Sequence, residues 1–233
     1  MAAMKMEMPR TQPPDPGFLE GGRELCNRHN IVLIFDEYTS GFRETFGGLH
    51  LQYGAEPDTA IFGKALGGGY VITATLGRRA FMEAAQKSFI SSTFWTERIG
   101  PTATLKSLDV MEREQSWEQV TAISVELLRQ CQAMADCRGL TISHNDLPAL
   151  TGVAIQSVKG LKYKTLITQE MLKRGSMAGM SCYISPAHTP DVIDPYLDHL
   201  NTTLALIPSC EASRSVDELQ GGLVCHSSFL RLN

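Results

Sequence analysis

The sequence of 233 residues lacks the apolar stretches that direct a chain to or across a membrane. Residues 1–10 contain no run like the core of a signal peptide, and no later run has the length of a membrane span. Basic residues do not cluster, and a formal net charge of -4 gives no electrostatic reason to bind nucleic acid or an anionic membrane. We therefore expect a cytoplasmic protein without nucleic-acid or membrane partners.

Several familiar site motifs are also missing. The six cysteines form no C-x-x-C pair and show no zinc-ligand spacing, so we expect reduced, mostly packed thiols and no metal site. The sequence has no G-x-G-x-x-G fingerprint, no H-E-x-x-H and no G-x-S-x-G elbow. A Walker A loop is excluded because its lysine follows the glycines, whereas here Lys64 precedes Gly67, Gly68 and Gly69. Nucleotide binding is therefore the weaker alternative.

The first half of the chain has an α/β pattern. Apolar spacing predicts a helix that begins near Phe18 and ends near Asn30. An unbroken apolar run over residues 31–35 follows, which is typical of a strand buried on both faces of a parallel sheet. Two further short strands are predicted over residues 59–62 and 71–76.

The second half is predicted to be a small α+β unit. Helical spacing covers residues 101–113 and 117–135, and the break near Gln115 is the predicted domain boundary, giving domains 1–115 and 116–233. Beyond it the pattern predicts strands and helices in alternation, over 150–158, 165–174, 180–185 and 190–207. Thr189 followed by Pro190 predicts a helix start with a side-chain cap.

Asp36 follows the buried strand directly. Ligands of open α/β sheets bind beyond the carboxyl ends of strands, so a carboxylate there is a candidate site residue rather than a turn or cap residue. Because side chains alternate along a strand, Asp36 and Tyr38 should share one face and Glu37 the other. A ligand could then meet a charge and an aromatic ring together.

Lys64 follows the strand predicted over residues 59–62. Its neighbours, among them Phe62, Ala65 and Leu66, are apolar, which predicts a buried amine. Desolvation makes an amine a nucleophile toward carbonyl groups. The glycines at 67–69 would let the backbone approach a ligand closely.

An amine and a carboxylate at one sheet edge suit pyridoxal 5'-phosphate. The lysine forms a Schiff base with this cofactor, and the carboxylate pairs with the ring nitrogen. Hydroxyls for the phosphate could come from Ser91, Ser92 and Thr93, although an ordinary surface loop fits that segment equally well.

These residues resemble the central signature of class-III aminotransferases. The resemblance rests on residues 33–43, then Pro57-Asp58, then residues 63–69, and within the family it is greatest to glutamate-1-semialdehyde aminomutase-like members. It implies fold type I: the C-terminal part of the large PLP-transferase domain, with a mixed, mostly parallel sheet and helices on both faces, plus a small α+β domain. The implied activity is that of a transaminase or aminomutase acting on small amino donors and acceptors.

The resemblance also implies roles for individual residues. Lys64 would form the Schiff base and later shuttle a proton between substrate carbon and cofactor. Asp36 would bond the pyridine nitrogen, and Tyr38 would stand where the family usually has a smaller aliphatic residue against the ring. Thr93 is similar to a threonine that reaches the phosphate bound in the neighbouring subunit, which implies a homodimer.

Two departures from the family pattern lead to an alternative. Thr93 is followed by residues 94–101 rather than the usual Gly-Asn-Pro run. The family's N-terminal part, with its main phosphate loop and its ring-stacking aromatic residue, has no counterpart before Asp36. We therefore expect a fragment of a longer enzyme, or alternatively an inactive truncated homologue that acts as a dimerisation or interaction module.

Overall fold

The computed structural model describes residues 2–8, 12–91, 93–94, 96–145, 147–179 and 181–226. The chain divides into two compact units, residues 1–121 and 122–233. The predicted boundary after residue 115 stays a prediction, and it coincides with the left-handed turn at Gln115 between two helices. No helix within the described ranges is long and apolar enough to cross a membrane.

The first unit contains a four-stranded sheet with helices. Its elements, in chain order, are β1 (Ala3–Glu7), α1 (Phe18–His29), β2 (Val32–Asp36), β3 (Thr59–Phe62), β4 (Ala74–Gly77), α2 (Arg79–Met82), α3 (Ile99–Glu114) and the first part of α4 (Ser116–Asp136). The strand order is β1-β2-β3-β4, with β1, β2 and β3 parallel and β4 antiparallel to β3. The mixed, mostly parallel sheet expected from the sequence is therefore present.

Strand β2 lies in the middle of this sheet and forms its core. Leu33 and Phe35 are fully buried, as expected for a strand with neighbours on both sides. Strand β1 was not predicted from the sequence. It pairs in parallel with β2, so that Lys5 lies opposite Ile34 and Glu7 opposite Asp36. Strand β1 therefore adds a charged residue to the edge at which Asp36 lies.

The second unit combines a small sheet with helices. Its elements are the C-terminal part of α4, β5 (Ile142–His144), β6 (Val153–Ile155), α5 (Gly160–Lys173), α6 (Pro190–Leu204) and α7 (Ile207–Ala212). Strands β5 and β6 are antiparallel. The side chains of Tyr163, Leu166, Met171 and Ile207 are completely buried and form the core of this unit.

Two predictions for the second unit are wrong. No strand covers residues 181–185, and Met180 lies outside the described residues; Cys182 makes only an isolated bridge with Thr151. The extended pairing stops because the Ser185 N–H donates to His188 Nδ1 at 3.1 Å in a turn. Thr189 does precede α6, but its hydroxyl makes no capping hydrogen bond; its backbone carbonyl accepts from Val192 and Ile193 instead.

Candidate active site

Asp36 lies at the carboxyl end of β2, where the sequence predicts it. One carboxylate oxygen, Oδ2, pairs with Lys5 Nζ at 2.7 Å. The other, Oδ1, accepts the Tyr38 backbone N–H at 3.1 Å. The side chain retains 18% exposure, so a further hydrogen-bond donor can still reach the carboxylate.

The surroundings of Asp36 favour its ionised form. Partial burial is the largest single influence and acts to raise the pKa. The hydrogen bond from Lys5, the Tyr38 N–H and the positive charges of Lys5 and Lys64 outweigh burial, and they hold the pKa of Asp36 below its ordinary value of 3.8. Asp36 is therefore a carboxylate at neutral pH, and Lys64 is close enough to contribute to this.

Lys64 begins a 3₁₀ helix, Lys64–Gly67, directly after β3 and Gly63. Its Nζ donates to Thr39 Oγ1 at 2.8 Å and lies 5.6 Å from the centre of the Tyr38 ring. The backbone of Lys64 is left-handed, with φ of 46°. Such a conformation is uncommon for a residue with a side chain and is frequent at functional sites.

The predicted burial of the Lys64 amine is wrong for this chain. The side chain is exposed, although Phe62 and Leu66 on either side are buried as predicted. The physical reason is the turn after β3, because the 3₁₀ backbone directs Lys64 away from the core that its neighbours enter. The burial of its sequence neighbours therefore does not predict the burial of Lys64 itself.

Tyr38 packs against the residue that precedes Lys64. A side chain built on Gly63 would overlap the Tyr38 ring, so the ring lies directly on the Gly63 backbone. Tyr38 and Asp36 are half-buried, whereas Glu37 is fully buried. The structure thus brings together Asp36, Tyr38 and Lys64.

Thr93 is not brought to this group. It lies in an exposed turn, and no hydrogen bond among the described residues joins it to Asp36, Tyr38 or Lys64. Ser91 is also exposed, and Ser92 lies outside the described residues. The phosphate donors predicted from the sequence are therefore not part of the Asp36–Lys64 cluster within this chain.

Comparison with known proteins gives the family. The model of the family described as "Aminotransferase class-III" matches residues 11–180. The chain belongs to the class-III aminotransferases. This confirms the resemblance drawn from the motifs, and it confirms pyridoxal phosphate as the cofactor at the level of the family.

The chain is also similar to two curated proteins of known name. The chain is 34% identical over 159 residues to the 3-aminobutyryl-CoA aminotransferase of Cloacimonas acidaminovorans, an alignment of 68% of this chain and 38% of the relative. It is 30% identical over 198 residues to a glutamate-1-semialdehyde 2,1-aminomutase of Neisseria meningitidis, covering 78% and 46% respectively. The chain thus spans less than half the length of either relative.

Solved structures with the same fold include PLP enzymes. The FumI protein of Sphingopyxis sp. MTA144, solved in its PLP internal aldimine form, matches with a TM-score of 0.84 at 21% identity, over 94% of this chain and 55% of that chain. A transaminase with PLP bound matches with a TM-score of 0.76 at 22% identity, over 87% and 50%. These matches confirm the predicted PLP-transferase fold class.

The class-III motif also contains a buried carboxylate that the sequence analysis left without a role. Glu37 is fully buried; its Oε1 accepts the His50 backbone N–H at 2.9 Å and lies 2.8 Å from His50 Nδ1, while Oε2 accepts the Ser40 hydroxyl. Burial acts to raise the pKa of Glu37, but these donors and the Leu49 N–H hold it below its ordinary value of 4.5. Glu37 therefore anchors the turn that follows Asp36.

Asp58 of the Pro57-Asp58 motif joins β2 to the neighbouring elements. Its Oδ2 accepts the Leu33 N–H at 2.8 Å and pairs with Arg23 of α1 at 3.0 Å, and its Oδ1 lies 3.6 Å from Arg78. The Asp58 side chain is 3% exposed. The residue that directly precedes β3 is thus linked to β2 and to α1.

Proposed function

We propose that this chain is the cofactor-anchoring part of a pyridoxal-phosphate-dependent aminotransferase or aminomutase. In this proposal Lys64 holds the cofactor covalently through Nζ, and Asp36 pairs with the ring nitrogen. The observation that carries the proposal is the placement of both groups at one sheet edge, with the charge of Lys64 acting on Asp36.

The described residues fit the ring end of the cofactor. An ionised, partly accessible Asp36 can accept a hydrogen bond from a protonated ring nitrogen. The exposed Lys64 amine, which donates to Thr39 Oγ1, is accessible to an aldehyde, and Tyr38 offers a half-buried ring beside both. When bound, pyridoxal phosphate supplies an electron sink for a substrate carbanion.

The chain's own residues would then orient the reactants and move the proton. Asp36 stays ionised because its pKa is held below its ordinary value, and its negative charge would favour the protonated form of the ring nitrogen. Lys64 Nζ, once a substrate amine has replaced it, would carry a proton between the substrate carbon and the cofactor as a general acid and base. Tyr38 would lie against the ring and narrow the space beside it.

Two reaction types fit the family. One is transfer of an amino group between two molecules, as the name of the Cloacimonas acidaminovorans relative states. The other is an amino shift within one molecule, as the name of the Neisseria meningitidis relative states. We propose a small amino compound as substrate in either case.

A homodimer and a cytoplasmic location belong to the same proposal. Support for the dimer comes from the first unit, where apolar side chains stand exposed around an open groove lined by Tyr70, Arg98, Ile99 and Lys106. Sedimentation equilibrium tests the proposed dimer. A wild-type dimer that becomes a monomer in Ile99→Glu supports it. A wild-type protein that is a monomer at all concentrations contradicts it.

An absorbance titration tests cofactor attachment. Wild type, Lys64→Arg and the exposed control Lys87→Arg are each titrated with pyridoxal phosphate. Wild type and Lys87→Arg should develop the same saturable band, and Lys64→Arg should develop none. Equal bands in all three proteins would contradict the proposal.

The competing function predicted from the sequence is an inactive dimerisation or interaction module. It is favoured by the position of Thr93, which lies in an exposed turn and makes no hydrogen bond to Asp36, Tyr38 or Lys64 among the described residues. It predicts a folded protein in which pyridoxal phosphate produces no band that depends on Lys64. The same titration therefore separates the two functions.

A further inference from the structure

Thr39 holds the Lys64 amine, and neither the motif comparison nor the cofactor proposal gives it a role. The hydrogen bond from Lys64 Nζ to Thr39 Oγ1, at 2.8 Å, joins residues 25 apart in sequence. Thr39 is 8% exposed, whereas Lys64 is exposed. A buried hydroxyl therefore faces an amine that would otherwise be free in solvent.

The turn that carries Thr39 is held from several sides. Its backbone carbonyl accepts Arg43 Nε at 2.7 Å. The preceding carboxylate of Glu37 is anchored by Ser40 and His50, and the Glu37 carbonyl accepts the Gly41 N–H at 2.8 Å. The turn that carries the Thr39 hydroxyl is thus anchored by several hydrogen bonds.

The orientation of the Lys64 amine depends on such an anchored hydroxyl. Its side chain has four rotatable bonds and is exposed, so burial does not select one rotamer. Its backbone is left-handed, and a residue with a side chain keeps this conformation only where several neighbouring contacts impose it. Thr39 Oγ1 is the one hydrogen-bond acceptor that Nζ meets among the described residues, and the Tyr38 ring flanks the same nitrogen.

We infer that Thr39 is a positioning residue, which fixes the Lys64 nitrogen at the sheet edge beside Asp36 so that it meets an aldehyde carbon in one orientation. This rests on the proposed function, since it assigns Lys64 the role of nucleophile. Fixing a nucleophile in one geometry raises its reaction rate because less freedom is lost on the way to reaction. Thr39 acts through Lys64 and touches no reacting carbon.

The test compares Thr39→Val, which keeps the shape and loses the hydroxyl, with Thr39→Ser, which keeps the hydroxyl. Each protein is treated with pyridoxal phosphate and borohydride, and peptide mass spectrometry gives the labelling rates of Lys64 and of the exposed Lys87. Loss of the hydrogen bond should slow labelling of Lys64 about 10-fold in Thr39→Val. Thr39→Ser should stay within about 2-fold of wild type, and Lys87 should be unchanged in all three.

A second probe keeps this test separate from the cofactor proposal. Acetaldehyde with borohydride alkylates amines without any ring or phosphate site: the amine and aldehyde form a C=N bond with loss of water, and hydride reduces it. If pyridoxal phosphate does not label Lys64 in preference to Lys87 in wild type, the cofactor proposal fails. The rates of alkylation by acetaldehyde can still be compared between the variants. Slower alkylation of Lys64 in Thr39→Val, restored in Thr39→Ser, supports the inference. Equal rates in all three proteins, or equal slowing in both variants, would overturn it.

Discussion

The ring of Tyr38 lies on the backbone of Gly63, so that even a methyl group at position 63 would overlap it. Gly63→Ala should therefore displace the Tyr38 ring and the start of the Lys64 turn. We expect a loss of about 1–3 kcal/mol in the free energy of unfolding, the usual cost of overpacking. Denaturant unfolding measures the loss, and the pyridoxal phosphate band should weaken with it.

Two further variants control this prediction. Gly21 lies in α1 with open space around it, so Gly21→Ala should raise stability by up to about 1 kcal/mol. Adding Tyr38→Val to Gly63→Ala removes the overlapping ring and should restore most of the lost stability. If Gly63→Ala is as stable as wild type, the close packing of Tyr38 on Gly63 is disproved.

Asp58 should be a main contributor to the stability of the first unit. Asp58→Asn removes the charge that pairs with Arg23 and weakens the acceptor of the Leu33 N–H, and the side chain is almost fully buried. We expect a loss of about 2–3 kcal/mol in urea unfolding with an unchanged m-value. The Glu56 side chain is 81% exposed and pairs with Arg78. The free energy of unfolding of Glu56→Gln should therefore stay within about 0.5 kcal/mol of wild type.

The lowered pKa of Glu37 predicts a dependence of stability on pH. A carboxyl group with a lowered folded-state pKa contributes stability above its ordinary value of 4.5, and this contribution is lost as pH falls below 4.5 through the folded-state pKa. Glu37→Gln should cost about 2–3 kcal/mol at pH 7 and lose less stability than wild type on acidification. Urea unfolding at a series of pH values measures both. Parallel curves for the two proteins would contradict the prediction.

Lys5 should control the ionisation of Asp36. Lys5→Met removes both the hydrogen bond and the charge that lower the pKa of Asp36, while partial burial continues to raise it. The pKa of Asp36, followed by NMR of its carboxyl carbon, should therefore rise in Lys5→Met. The exposed control Lys87→Met should leave it unchanged, and an unchanged value in Lys5→Met would refute the pairing.

The sequence predicted the part of the site that follows from strand order. Asp36 and Lys64 each come directly after a buried apolar strand, and parallel strands bring such residues to one edge. The same local reasoning missed β1, since Met4, Lys5 and Met6 carry no β-branched side chain and its pairing with β2 is a long-range contact. The Lys5–Asp36 pair was missed with it.

Other features depend on contacts that sequence spacing does not reveal. The Glu37–His50 pair joins residues 13 apart through a loop, and the Lys64–Thr39 hydrogen bond joins residues 25 apart. The exposure of Lys64 was predicted wrongly because the direction of a side chain after a strand depends on the turn that follows. For Glu37 the signal in the sequence was its place between Asp36 and Tyr38, on the opposite face of the predicted strand.

Mapping the labelled lysines at saturation tests whether Lys64 is the attachment site of the cofactor. The full chain is saturated with pyridoxal phosphate, reduced with borohydride and digested, and the label at each lysine is quantified. We expect close to one label per chain on the Lys64 peptide, and less occupancy at the same cofactor concentration in Asp36→Asn. A label spread evenly over Lys64, Lys87 and Lys106 would contradict it.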